Sequence, residues 1–192
     1  MDPRIKEWLS NPLLLLVVGG AISGLLIPYI TTQWQNHEKE LEIKTDLVGR
    51  ISETVMSMIM AVQFAEMSGP TQQSQEEYNK IFREWEISNA VTGSQIRAYF
   101  PANKLGQDWD KLSKLVTDVY ALSGIPVSDT RVKHVEKIKG YFSNDMDNVD
   151  FSQLAKTAGG EKYLSQWFIL KDEIIKKKDT LVGSILESHI NL

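Results

Sequence analysis

Apolar positions in this chain follow two rules. One governs residues 13–30, LLLLVVGGAISGLLIPYI, eighteen residues without a charge. The other takes over after residue 36, where apolar side chains recur three and four apart, as on one face of an α-helix. Over 36–67 the stripe is Leu41, Val48, Ile51, Val55, Met58, Val62 and Ala65, with Lys44 its only polar member. Met67-Ser-Gly-Pro70 stops that helix. Tyr78, Ile81, Phe82 and Trp85 predict a second over 72–90, opened by Ser74 and Glu77 as a capping box. A short helix over 94–100 ends at Pro101. Trp109, Leu112, Leu115, Val116, Val119 and Leu122 predict a helix over 108–123, closed by Gly124-Ile-Pro126. Val132, Val135, Ile138 and Phe142 predict the next, about 129–142, capped by Ser128 or Asp129. Residues 151–158 fit a short helix, Gly159-Gly160 breaks it, and 161–189 reads as a second long one. No segment alternates at period two. The expectation is an all-α protein: one apolar N-terminal helix continuing into a bundle of about five or six helices.

As a helix the apolar stretch rises about 27 Å, close to a bilayer core of roughly 30 Å. A core helix would carry a polar face, and the only hydroxyls here are Ser23 and Tyr29. Trp8 and Trp34 lie 26 residues apart, about 39 Å along a helix, near the two headgroup layers where Trp and Tyr collect. Trp8, Tyr29 and Trp34 are therefore the expected interface anchors. The division is an N-terminal tail over 1–12, a transmembrane helix over 13–34 and a soluble helical domain over 36–192. A cleaved signal with Ala21 and Ser23 as its small-x-small site is one alternative, although the apolar run continues past it through Leu25–Ile30. A buried core helix is the other.

Gly20-Ala-Ile-Ser-Gly24 is a G-x-x-x-G, and Gly19 with Ser23 adds a second small-residue pair. Small residues let helix backbones approach closely in lipid, so Gly20, Ser23 and Gly24 are the candidate self-association face. Glycine is also simply common in spans. Pro28 removes a backbone donor and predicts a local kink. Counted backwards, the stripe of 41–65 meets Trp34, Ile30, Ile27, Ser23, Gly20, Leu16 and Leu13. A seven-residue period of that kind favours a coiled-coil seam. Over 47–65 the additional Leu47, Ile59 and Phe64 widen the face, which favours packing within the domain instead. KTDLVGRISE at 44–53 also echoes KDTLVGSILE at 178–187. With no fixed period, that echo is not a repeat architecture.

Charge and chemistry narrow the function classes. Twenty-one Lys and Arg against 25 Asp and Glu give a net charge of −4, so the whole molecule does not attract nucleic acid or anionic lipid. There is no cysteine, which excludes disulfides, thiolate catalysis and Cys-based zinc sites. Three scattered histidines suggest no metal centre, and no cofactor is expected. Nucleotide-binding and hydrolase signatures are missing. Arg131-Val-Lys-His134 places an Arg and a His on one helix, but helical RNases of the HEPN type hold a longer gap between the two. The plain expectation is a solvated helix face. Residues 143–150, SNDMDNVD, lack the glycine and closing glutamate of a calcium loop. Lys171, Lys176, Lys177 and Lys178 form the densest basic cluster, a candidate phosphate or anion patch diluted by Asp172 and Glu173. Trp85, Trp109 and Trp167 fall on apolar faces and read as core.

The sum is a membrane-anchored, non-enzymatic helical interaction or scaffold protein that self-associates through its span. Its partners are then the lipid bilayer, further copies of itself and an unidentified protein, with nucleotide or nucleic acid a minor alternative. The architecture is similar to small single-span prokaryotic membrane proteins, among them accessory effectors of antiviral systems. That analogy implies a second reading, a ligand- or partner-gated oligomer that perturbs the bilayer. A membrane-tethered nuclease is a third. Basic residues barely differ across the span, with Arg4 and Lys6 before it and Lys39, Lys44 and Arg50 after it. The short tail is easier to translocate than the domain, so the expected site is a prokaryotic inner membrane with a cytosolic C-terminal domain.

Overall fold

Six α-helices and no strand make up the described residues of the computed structural model, which are 16–17, 19–20, 22–68, 72–142, 148–157 and 160–190. In chain order they are α1 (Ile27–Ser68), α2 (Gln72–Tyr99), α3 (Leu105–Ser123), α4 (Asp129–Lys139), α5 (Phe151–Lys156) and α6 (Glu161–Glu187). The protein is all-α, a helical bundle. By internal contacts it divides into two compact units, Met1–Ile43 with Leu192, and Lys44–Asn191.

In the first unit a π-helical turn, Ile22–Leu26, precedes α1. Pro28 follows two residues later. A proline cannot donate to the carbonyl four residues back and its ring crowds that carbonyl. A wider turn accommodates both effects. Among the described residues no helix is long and apolar enough to cross a membrane. Helix α1 takes up only Ile27–Ile30 of the apolar stretch. Residues 13–15, 18 and 21 lie outside the described residues, as do Trp8 and the whole 1–12 tail.

The second unit is organised around α3, which packs against α2, α4 and α6, while α5 bridges α4 and α6. Its buried face carries Trp109, Leu112, Leu115, Val116, Val119 and Leu122, the positions that the 3-4 spacing selects. Helix α1 buries Leu47, Ile51, Val55, Met58, Ile59 and Val62. The wide face expected for 47–65 is thus packed within the domain, although Phe64 is half exposed. Lys44, the polar member of the stripe, is buried too. Its Nζ donates to the Leu186 carbonyl at 3.1 Å, in the last turn of α6. Terminal helix carbonyls have no intrahelical donor and carry partial negative charge, so an ammonium suits them. The echoing segments 44–53 and 178–187 meet through this bond.

Helix α2 runs unbroken where two helices were expected. Gly93 lies between the two expected helices, in the C-terminal part of α2. A Cβ there would stand 3.2 Å from the Trp109 ring, so the glycine serves close approach rather than a turn. The tryptophans form the centre. Trp85 and Trp109 have ring centroids 6.1 Å apart, Trp85 Nε1 donates to Thr117 Oγ1 at 3.0 Å, and Trp109 Nε1 donates to the Asn89 carbonyl. Ser128 caps α4 by accepting from the Arg131 amide. Asp150 caps α5, and the Ser152 hydroxyl, donating to it at 2.6 Å, holds its carboxyl below the usual carboxylate range. Gly160 opens α6 at φ 88°, a left-handed conformation that favours glycine. The side chain of Ser74, half of the expected capping box, lies outside what is described.

Candidate functional site

Three regions bear on function. The first is the apolar segment. Leu16, Val17, Leu25, Leu26, Ile27, Tyr29, Ile30 and Trp34 are all between 52 and 76 % exposed. The hydroxyls of Thr31 and Thr32 donate back to the carbonyls of Ile27 and Pro28, at 2.8 and 2.9 Å. Their hydrogens are therefore satisfied without water, a local pattern open to Ser and Thr in any helix. At Gly20 and Gly24 an added Cβ would meet nothing within 4 Å. The small-residue face of Gly20, Ser23 and Gly24 is thus uncovered in the single chain. Of the expected anchors, Tyr29 and Trp34 are exposed.

The second region is the Arg131–His134 pair, and here the expectation of a solvated face is corrected. Arg131 is 1 % exposed. Its Nε donates to the Leu154 carbonyl at 2.8 Å and its Nη1 to the carbonyls of Leu122 and Ile125. The guanidinium lies 5.4 Å from the Tyr163 ring centroid. It therefore ties the C-terminal end of α3 to α5 and α6 as a planar cation surrounded by carbonyl oxygens and an aromatic face. His134 Nε2 sits 2.7 Å from the Asp118 carbonyl oxygen. Both residues of the suspected nuclease pair are committed to packing. No group of three or more His, Asp or Glu able to hold a metal occurs among the described residues.

Beside this pair, Asp118 is a buried carboxylate that accepts from Lys137 Nζ at 2.8 Å and from the Tyr141 hydroxyl at 2.6 Å. Burial, and then the bond to Asp118, push the Tyr141 phenol up to about 12. The unfolded chain would release that proton near pH 10. The contribution of this phenol is therefore complete below pH 10 and is lost as pH rises through 12. Burial also raises Tyr120, which adds a loss of the same sign. Tyr141→Phe should show a shallower fall in stability between pH 10 and 12 than the parent, measured by urea midpoints across that range. An unchanged slope would mean that the phenol is free of Asp118 in solution.

The third region is a cleft of about 680 Å³ between α3, α6 and the turn after α4. Leu112, Leu115, Leu181 and Phe142 form its apolar lining, and Asp108, Lys111, Lys177, Thr180 and Ser184 bring polar groups to it. Of the basic cluster anticipated on α6, only Lys177 belongs here, its Nζ 5.0 Å from the Phe142 centroid. Lys176 pairs with Glu173. Lys178 is held at 2.9 Å by Asp179, and Lys171 stands over the outward-facing Phe168 ring at 4.9 Å. At 100° per residue Lys176, Lys177 and Lys178 leave the helix in three directions, and Lys171, on the side of Lys178, stands about 10 Å before it along the axis, so the four do not converge. Lys111, Thr180 and Ser184 escaped the sequence reading. Each repeats at i, i+3, i+4, i+7 with its neighbours, Asp108-Lys111-Leu112-Leu115 on α3 and Lys177-Thr180-Leu181-Ser184 on α6. That spacing marks two faces but cannot say that they face each other.

A smaller groove of about 380 Å³ between α1 and α2 is lined by Ser57, Met60, Ala61, Phe64, Tyr78 and Ile81, with Glu77 and Glu84 as its charges. Met60, Phe64, Ile87 and Val91 are exposed. No protein-family model, no curated protein and no solved structure matches this chain.

Proposed function

We propose that this is a membrane-anchored, non-enzymatic helical interaction protein that self-associates through residues 13–34. The observation that carries the reading is the exposed apolar segment. No Asp, Glu, Lys or Arg occurs between Glu7 and Glu38, and the described side chains of that interval are open all round. Contiguous apolar surface of this extent in water is unfavourable and marks contact with lipid or another protein. Back-bonded threonines and the flanking Tyr29 and Trp34 suit a bilayer. The uncovered glycine face suits a second helix, and Ile27, Ile30, Trp34 and Leu41 of the same register are exposed as well. The exposed Met60, Phe64, Ile87 and Val91 support an interaction role for the helical domain.

The test is the pair Gly20→Ile and Gly24→Ile. A branched side chain at the closest approach of two helices should lower the oligomeric mass of the full chain in detergent. The same changes add apolar surface, so the protein should stay in the membrane fraction. Unchanged mass would remove self-association through this face, and recovery of the parent in the aqueous fraction would remove the anchor itself. The cleft favours a second reading, in which ligand binding to the helical domain controls a membrane oligomer.

A further inference from the structure

We infer that the cleft between α3 and α6 binds a nucleotide-class organic phosphate. The inference stands independently of the membrane reading, since every lining residue belongs to the second unit. Its volume, about 680 Å³, falls in the range of roughly 300–1,000 Å³ typical of small-ligand sites, which are mostly apolar with a few placed polar groups. Two of those groups are ammonium ions. Lys111 is exposed and reaches Asp108 only at 3.9 Å, so one carboxylate stands against two lysines. Lys177 is partly buried and backed by the Phe142 ring. An anion entering the cleft meets net positive charge above an apolar floor.

The hydroxyls refine the chemistry. Thr180 Oγ1 donates to the Lys176 carbonyl at 2.9 Å and Ser184 Oγ to the Thr180 carbonyl at 3.0 Å. Tyr141, which also lines the cleft, donates to Asp118. With their hydrogens on these partners, all three keep oxygen lone pairs with which to accept from a ligand. The site therefore suits acidic oxygens for the lysines, hydroxyl or amino donors for the three oxygens, and an apolar body for Leu112, Leu115, Leu181 and Phe142. Inorganic phosphate meets only the first requirement and a fatty acid lacks the donors. A nucleoside monophosphate meets all three.

The experiment titrates the full chain, in detergent micelles, with AMP, adenosine and inorganic phosphate by calorimetry. AMP should bind one to one, and adenosine and phosphate each at least about tenfold more weakly, the loss expected when a charged hydrogen bond or the apolar contact is missing. Lys177→Gln should weaken AMP by about tenfold or more. Lys176→Gln, on the same helix but paired with Glu173 away from the cleft, should leave it unchanged. Lys111→Gln alters a side chain 75 % exposed that folding does not need, so it repeats the test even if Lys177→Gln fails to fold. No saturable AMP binding would overturn the proposal. So would equal losses in Lys176→Gln and the cleft variants, or inorganic phosphate binding as well as AMP.

Discussion

Arg131→Ala should lower the stability of the helical domain by about 2–4 kcal/mol, the cost of losing several hydrogen bonds from a buried cation to carbonyl acceptors at once. The guanidinium is surrounded by protein, and three carbonyl oxygens on two segments depend on it. Truncation leaves the buried Leu154 carbonyl and the Ile125 carbonyl without this donor, while Leu122 keeps the bond from the Ile125 amide; losing buried partners costs more than losing an exposed bond. It also removes the cation from the Tyr163 face. Lysine keeps the charge but not the planar fork, so Arg131→Lys should recover little of the loss. Denaturant midpoints of the full chain, followed by far-ultraviolet circular dichroism, give the number. A loss under about 1 kcal/mol in Arg131→Ala would show that water replaces the guanidinium, and the buried position would then be wrong.

The second large effect is at Trp109. Its ring is buried between α2 and α3, next to Trp85, and Gly93 is kept free of a side chain to receive it. Trp109→Ala should cost about 3–5 kcal/mol, since the lost transfer energy is joined by a cavity that a helix backbone cannot collapse into. Trp109→Phe fills much of that cavity and gives up the bond to the Asn89 carbonyl, so its cost should be markedly smaller. Equal costs for the two would locate the stabilisation in the indole N–H rather than in ring packing.

Helical spacing alone carried most of the fold. Each long run of apolar positions at three and four became a helix, and the three tryptophans placed in the core are there. The misreadings share a cause: a side chain was judged by type when its partner lay far away in the chain. The 72–99 helix was split between 90 and 94, where Gly93 has its reason, the Trp109 ring, on another helix. Arg131 looked solvated because carbonyl acceptors leave no trace in a sequence. Lys44 looked like a flaw in a stripe, and its acceptor is 142 residues away. The cleft was illegible for the same reason. Its lysines and hydroxyls sit on α3 and α6, two helices far apart in the chain that pack directly on each other. The N-terminal segment is the opposite case, since its apolar character is local and is read from composition alone.

The packing of α3 has a consequence for how the chain is made. Its partners are α2, α4 and α6, and α6 is made last of these four. Until then the face of α3 that carries Leu112 and Leu115 has no cover, and the Lys44 ammonium has no acceptor in α6. Pairings so distant along the chain are slow, because loop closure precedes any reward from contact. The apolar residues of 13–30 precede the second unit in the chain, and so emerge before its helices can close. A nascent chain of this kind presents two sticky surfaces in succession, and the second stays open until α6 is made.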